Sequence, residues 1–328
     1  MAKRHINLPL GILLAIVPLA CVAQIVTPPM QGQGREPGQG PEKRAPVAAP
    51  MPVADRSTEC NAQCLTDIAK QYLSALEKRD FTPLRVAPNL LVSENGHYSR
   101  IGENLWKVLE KLGPDRHYYT DPISGNIITI GTLEQSAQQP FIYVLRLKVE
   151  NRLVAEVETM VIADTNAGQH FRPDNIAKFD STLLTAVPTA DRMTRQELTQ
   201  AADAMWFGGA TITKSSDCIH WENADRLPQF TCSTGIKPGR GGLFNAQRAV
   251  RHPLIDVEHG LVFTYVLQDA SPYQNPNPPD DERTPRFYQG PVTFTVMQIA
   301  KFKRSNTISA HHLFMTVQEA ALPAVFVE

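Results

Sequence analysis

Apolar residues recur at helical spacing near the start of the ordered-looking sequence: Leu65, Ile68, Tyr72, Leu73 and Leu76. This stripe predicts a helix from Cys64-Leu65 to Arg79, with Ser57 or Asn61 placed to cap it. A second helix is expected from Gly102 to Leu112, ended by Gly113-Pro114. Apolar runs then predict strands over 89–93, 127–133, 141–150 and 153–163, the last two flanking a hairpin turn at Asn151-Arg152. The pattern restarts near Thr194. A helix over 195–207 is stopped by Gly208-Gly209, and strands follow over 217–221, 261–268, 292–303 and 308–317. Residues 271–289 carry Pro272, Pro276, Pro278, Pro279 and Pro285 with Asp280, Asp281 and Glu282. Such a stretch is excluded from strand and reads as an inserted loop, a lid or a decoration.

The restart is a repeat. Asn89-Leu-Leu-Val-Ser-Glu94-Asn95-Gly96 aligns with Asp217-Cys-Ile-His-Trp-Glu222-Asn223-Ala224, 128 residues later. Asp121-Pro-Ile-Ser-Gly125 aligns with Asp256-Val-Glu-His-Gly260, 135 residues later. Two marks in one order at nearly one offset indicate two copies of one domain, over 57–188 and 189–328, and not a periodic array. Each copy runs from a helix through a short strand into a long antiparallel meander, an α+β order. A strongly curved antiparallel sheet wrapped on its N-terminal helices makes each domain a cone with an apolar pocket.

Residues 1–23 read as an export signal, with Lys3 and Arg4 before the apolar run Leu8 to Val17. Three outcomes fit: cleavage before Gln24, retention as an anchor, or lipidation of Cys21. Residues 24–56 are crowded with proline and form a disordered tether. These features place the protein in the periplasm or outside the cell, with a possible membrane tether through the N-terminus. The net charge is −1, so there is no basic field for nucleic acid.

Beyond Cys21 the cysteines are Cys60, Cys64, Cys218 and Cys232. In an oxidising compartment an even number suggests disulfides, with three possible connectivities. Cys218–Cys232 is the preferred pair. Cys60–Cys64 is harder, because Cβ atoms four residues apart on a helix sit about 6 Å apart, whereas the bond wants about 3.8 Å. They can pair only if Cys60 lies in the turn before the helix. No ligand spacing for zinc follows, and no metal or cofactor is expected.

Cys64-Leu65 with Tyr72-Leu73-Ser74-Ala75-Leu76, Glu94-Asn95-Gly96, Leu105-Trp106, Arg146-Leu147-Lys148-Val149 and Glu156-Val157-Glu158 resemble SnoaL-like domains of the nuclear transport factor 2-like superfamily. The resemblance covers 57 to about 165. The second copy shares Glu222-Asn223 and the hairpin order but lacks the Arg-Leu-Lys-Val and Glu-Val-Glu words. The superfamily holds cyclases, dehydratases, isomerases, lyases and non-catalytic binding modules, so the resemblance implies a fold and little chemistry. Because the superfamily commonly dimerises through its sheet, it also implies a pseudo-dimer within one chain.

Two functions compete. The first is a cofactor-free lyase, isomerase or cyclase acting on a small apolar or aromatic substrate. His220 and Glu222 share a face of an extended segment, His312 aligns with Glu158 near the end of the meander, and Asp256 is placed to orient a histidine; together they would form an acid–base set. The opposing reading puts His220 and Glu222 on the outer face in water. His311 and His312 are strand neighbours facing opposite ways, which excludes a chelating pair. The second function is a non-catalytic module binding a small hydrophobic molecule or an envelope protein. Its ligand residues would be Tyr72, Glu94, Asn95, Trp106, Tyr119, Arg146, Glu156 and Glu158, with Tyr118 beside them. Glycine-rich 237–242 lacks a phosphate-loop ending, and the serine elbow and zinc-protease motifs are absent.

Overall fold

The computed structural model describes residues 55–56, 59–135, 140–165, 167, 170–179, 181–208, 210–232, 244–270, 291–320 and 322–326. The signal, nearly all of the tether, and the inserted loop 271–289 lie outside them. The described residues belong to one compact unit, Pro52–Glu328.

The first half contains α1 (Ala62–Lys78), β1 (Val86–Glu94), β2 (His97–Ser99), α2 (Leu105–Val108), β3 (Lys111–Asp121), β4 (Asn126–Glu134), β5 (Phe141–Glu150) and β6 (Leu153–Ile162). Three short 3-10 turns over 173–191 lead to α3 (Arg195–Phe207). The second half continues with β7 (Thr213–Lys214), β8 (Ile219–Glu222), β9 (Asp225–Thr231), β10 (Phe244–Asp256), β11 (Leu261–Ala270), β12 (Val292–Lys303) and β13 (Thr307–Glu319).

Strand order is β2-β1-β6-β5-β4-β3 in one sheet and, in the same direction, β9-β8-β13-β12-β11-β10 in the other, with β7 added beside β13. The two halves therefore share one topology. The meander is antiparallel as expected, but each sheet is mixed. β1 joins β6, and β8 joins β13, in parallel.

The repeated words adopt repeated geometry. Asn95 and Asn223 both take positive φ (50° and 43°). The Asn95 side chain accepts from Val161 N at 2.8 Å and Asn223 accepts from Met315 N at 2.7 Å. Their own N–H groups donate to Thr159 O and Leu313 O, each at 2.8 Å. This equates Glu158 with His312, as the sequence alignment did. Asn95 thus closes a turn and contacts no cavity described below. At the other mark, Gly125 and Gly260 have φ of 72° and 67°. Val149 N and Phe302 N donate to their carbonyls at 2.8 Å.

Hydrophobic residues occupy three cores in an α/β/β/α stack. α1 lies on one face of the first sheet through Leu65, Ala69, Tyr72, Leu73 and Leu76. α3 covers the second sheet through Leu198, Ala202 and Met205. The remaining faces pack together through Ile128, Ile142 and Val144 on one side and Phe263, Leu267 and Ile299 on the other. Both helices begin on side-chain caps, Asn61 for α1 and Thr194 for α3.

Several expectations change. Residues 102–112 contain only the single turn α2 before β3 begins, and β3, β9 and β10 were not anticipated. Gly113-Pro114, read as a helix stop, lies inside β3 where the register slips between Leu112 and Arg116. Pro253 likewise sits in β10, among register slips. Both strands are sheet edges, where a missing N–H is tolerated. Cys60 and Cys64 are bonded (Cα–Cα 5.3 Å), as are Cys218 and Cys232 (Cα–Cα 5.8 Å). Cys60 precedes the Asn61 cap, so it escapes helical geometry, which is the condition the first pair required. No helix among the described residues is long and apolar enough to cross a membrane.

Candidate functional site

The first cone is lined by Tyr72, Leu76, Glu94, Leu105, Trp106 and Tyr143 among others, and encloses about 20 Å³. That admits roughly one water. Tyr72 and Trp106 meet edge to face at 5.5 Å between ring centroids. Glu94 accepts from Leu105 N at 3.1 Å. Burial raises its carboxyl above the ordinary value, only partly offset by that bond. Tyr72, Glu94 and Trp106 are thus brought together as expected, around a space too small for a ligand.

The other expected ligand residues lie elsewhere. Tyr119 sits between the sheets, 4.9 Å from Phe263. Tyr118 flanks the α1-side core and lies under Lys70. Arg146 is fully buried, donating to Glu158 (2.8 Å), Glu156 (2.7 Å) and Asn126 (3.0 Å). Arg251 from β10 pairs with the second oxygen of Glu158. Burial would raise the Glu158 carboxyl, but the guanidinium groups of Arg251 and Arg146 hold it below the ordinary value. The arrangement is a buried ion cluster joining the two sheets.

In the second half, the cone interior is occupied by a hydrogen-bonded chain. Trp206 on α3 donates Nε1–H to Gln298 Oε1 at 2.8 Å. Gln298 Nε2 lies 2.6 Å from His311 Nε2. His311 Nδ1 lies 2.9 Å from His220 Nδ1, and His220 Nε2 lies 2.8 Å from Glu222 Oε1. An indole N–H only donates, so Gln298 offers its NH₂ to His311. His311 must then carry its proton on Nδ1, and His220 on Nε2, where it donates to Glu222. Each proton position follows from the one before. Burial, then the neighbouring His220, keeps His311 well below the ordinary imidazole value, hence neutral. His170 meets the far end, 3.9 Å from Glu222 and 3.2 Å from Asp225.

The corresponding first-half positions are apolar. The caps equate Leu73 with Trp206, and the strand registers equate Val92, Val157 and Leu145 with His220, His311 and Gln298. His220 is 4% exposed and faces α3, not water. His312 does not join it. It lies on the opposite face, stacked on Trp221 (centroids 5.4 Å, planes 7° apart) and against Phe179 at 4.8 Å. Strand alternation requires this, because His220 pairs with His311 and Trp221 with His312. Asp256 does orient a histidine, but it is His259 in its own turn, at 2.6 Å, at the end of edge strand β10. The proposed acid–base set is therefore divided between two faces and a distant turn. The signal for the chain was present: Gln298 and His311 interrupt apolar strand runs.

Ligand-sized space lies where the connector crosses the second sheet. A cleft of about 650 Å³ is walled by Phe179, Thr182, Thr185, Ala186 and Val187 from the connector and by Ile219, Trp221, Lys301 and Ser309 from the sheet. Phe179 and Trp221 stand 6.4 Å apart between centroids. Lys301 anchors the connector by donating to the carbonyls of Thr182, Leu183 and Thr185. None of these wall residues was read from the sequence as a ligand residue, since the cleft joins segments about 30 to 130 residues apart, which no local pattern reveals. Among the described residues no cluster able to hold a metal ion occurs.

Comparison with known proteins adds little. No family model matches the chain, and no curated protein matches it. Among solved structures, a de novo designed protein with a curved β-sheet is similar at 11% identity, covering 31% of this chain and 87% of its own, with a TM-score of 0.27. A steroid delta-isomerase from Pseudomonas aeruginosa is similar at 9% identity, covering 32% and 83%, with a TM-score of 0.25. Likeness at this level carries no argument about activity.

Proposed function

We propose that this protein is an exported, non-catalytic binding module that holds a small molecule with an apolar body in the cleft between connector and second sheet. Size carries the reading. The cleft of about 650 Å³ falls within the range of small-molecule sites, roughly 300–1,000 Å³, whereas the first cone encloses about 20 Å³. The aromatic walls Phe179 and Trp221 suit a flat apolar body. Against acid–base catalysis, His220 has both ring nitrogens engaged with fixed neighbours, and neither it nor His312 lines the cleft. The two disulfides agree with export to an oxidising compartment.

The test is calorimetric titration of the full chain with 2-naphthalenemethanol, a neutral aromatic probe, alongside Ala186→Trp. Ala186 is exposed on the cleft wall, so a larger side chain fills the space without entering a core. Saturable binding that Ala186→Trp abolishes is expected. Absence of binding, or equal binding by the variant, refutes the site.

A further inference from the structure

We infer that the cleft's ligand is an organic anion, an apolar body carrying a sulfonate, carboxylate or similar group, a conclusion that rests on the cleft being the binding site. The chain as a whole is balanced, with 32 basic and 33 acidic residues. The cleft is not: among the described residues Lys178, Arg226, Lys301 and Lys303 line it against a single acid, Asp217. (Asp180 lies outside the described residues.) Lys301 is committed to the connector carbonyls and is set aside. The other three cations form no salt bridge among the described residues. Lys178 and Arg226 are exposed and Lys303 is half-buried, so their ammonium and guanidinium groups are available at the mouth. Asp217 already accepts from Ser215, and it offsets at most one of the three charges.

An anion supplies the countercharge, while Phe179 and Trp221 on the wall take the apolar body. A neutral ligand of the same shape would leave the cations as they are.

The test compares 2-naphthalenesulfonate with 2-naphthalenemethanol, which share one aromatic body, by calorimetry on the full chain. The sulfonate is expected to bind about tenfold tighter or more at low salt, an advantage that shrinks as salt rises. Arg226→Glu and Lys303→Glu, judged folded by an unchanged melting curve, are each expected to weaken sulfonate binding about fivefold or more and to weaken the alcohol by much less. Lys107→Glu, remote from the cleft, is expected to change neither. Equal affinity for the two probes, or an equal loss in Lys107→Glu, overturns the inference while leaving the cleft as a site for neutral molecules. Failure of both probes to bind overturns the cleft and the inference together.

Discussion

Replacing His311 by valine, its first-half counterpart in type, should destabilise the second half far more than the change in size implies. The substitution removes the contacts to Gln298 at 2.6 Å and to His220 at 2.9 Å. Gln298 and His220 are 0% and 4% exposed, so water does not readily replace the lost partner. Gln298 keeps only a 3.7 Å contact to Met205 Sδ for that NH₂ group. Each of the two stranded buried groups costs about 1–3 kcal/mol, giving a loss of about 2–6 kcal/mol. Urea unfolding of the full chain measures it. Adding His220→Val removes both partners of one bond, so the double variant should lose less than the two single losses added together, by about 0.5 kcal/mol or more. The chain also sets a pH dependence. His311 is held neutral when folded, whereas the unfolded imidazole takes up a proton below about 6.5. The unfolded state binds more protons there, so stability should fall as pH drops through that value and should flatten in His311→Val. A His311→Val protein within about 0.5 kcal/mol of the parent, with additive losses in the pair, would refute the chain as described.

Glu158→Gln should cost about 3–5 kcal/mol, because it leaves Arg146 and Arg251 facing a neutral amide at a buried site; chemical denaturation checks this, and a change under 1 kcal/mol would argue against a buried cluster. Its folded carboxyl is held low, so this contribution is present at neutral pH and should disappear as pH falls below about 4.5, the ordinary carboxylate range. Gly125→Ala and Gly260→Ala should destabilise to a similar degree, by over 1 kcal/mol each, since a Cβ would meet Val149 O and Phe302 O inside contact distance and φ is positive at both; thermal unfolding of both variants reads it, and a tolerated alanine at either site breaks the equivalence. Replacing Cys218 and Cys232 together by alanine should cost about 3 kcal/mol from the loop of sequence separation 14, and reducing the parent, which also opens Cys60–Cys64, should cost at least as much. A melting curve unmoved by reduction would count against that bond in the folded protein.

The sequence by itself determined what depends on neighbours along the chain. The helix stripe of Leu65, Tyr72 and Leu76 and the hairpin at Asn151-Arg152 were legible because their causes are local. So was the duplication, read from words around Asn95 and Gly125 that recur around Asn223 and Gly260, and in the structure these words form turns with the same hydrogen bonds. Tertiary structure decided everything that turns on which face a strand presents. His311 and His312 differ by one residue, yet one joins a buried chain with His220 and the other stacks on Trp221, because successive strand residues point to opposite faces. Gly113-Pro114 looked like a helix end and is an edge strand, a distinction set by whether another strand pairs beyond it. The cluster of Arg146, Glu158 and Arg251 exists only because two sheets pack together. The cleft exists only because the connector crosses the second sheet; long-range packing alone brings Phe179 and Trp221 to one wall.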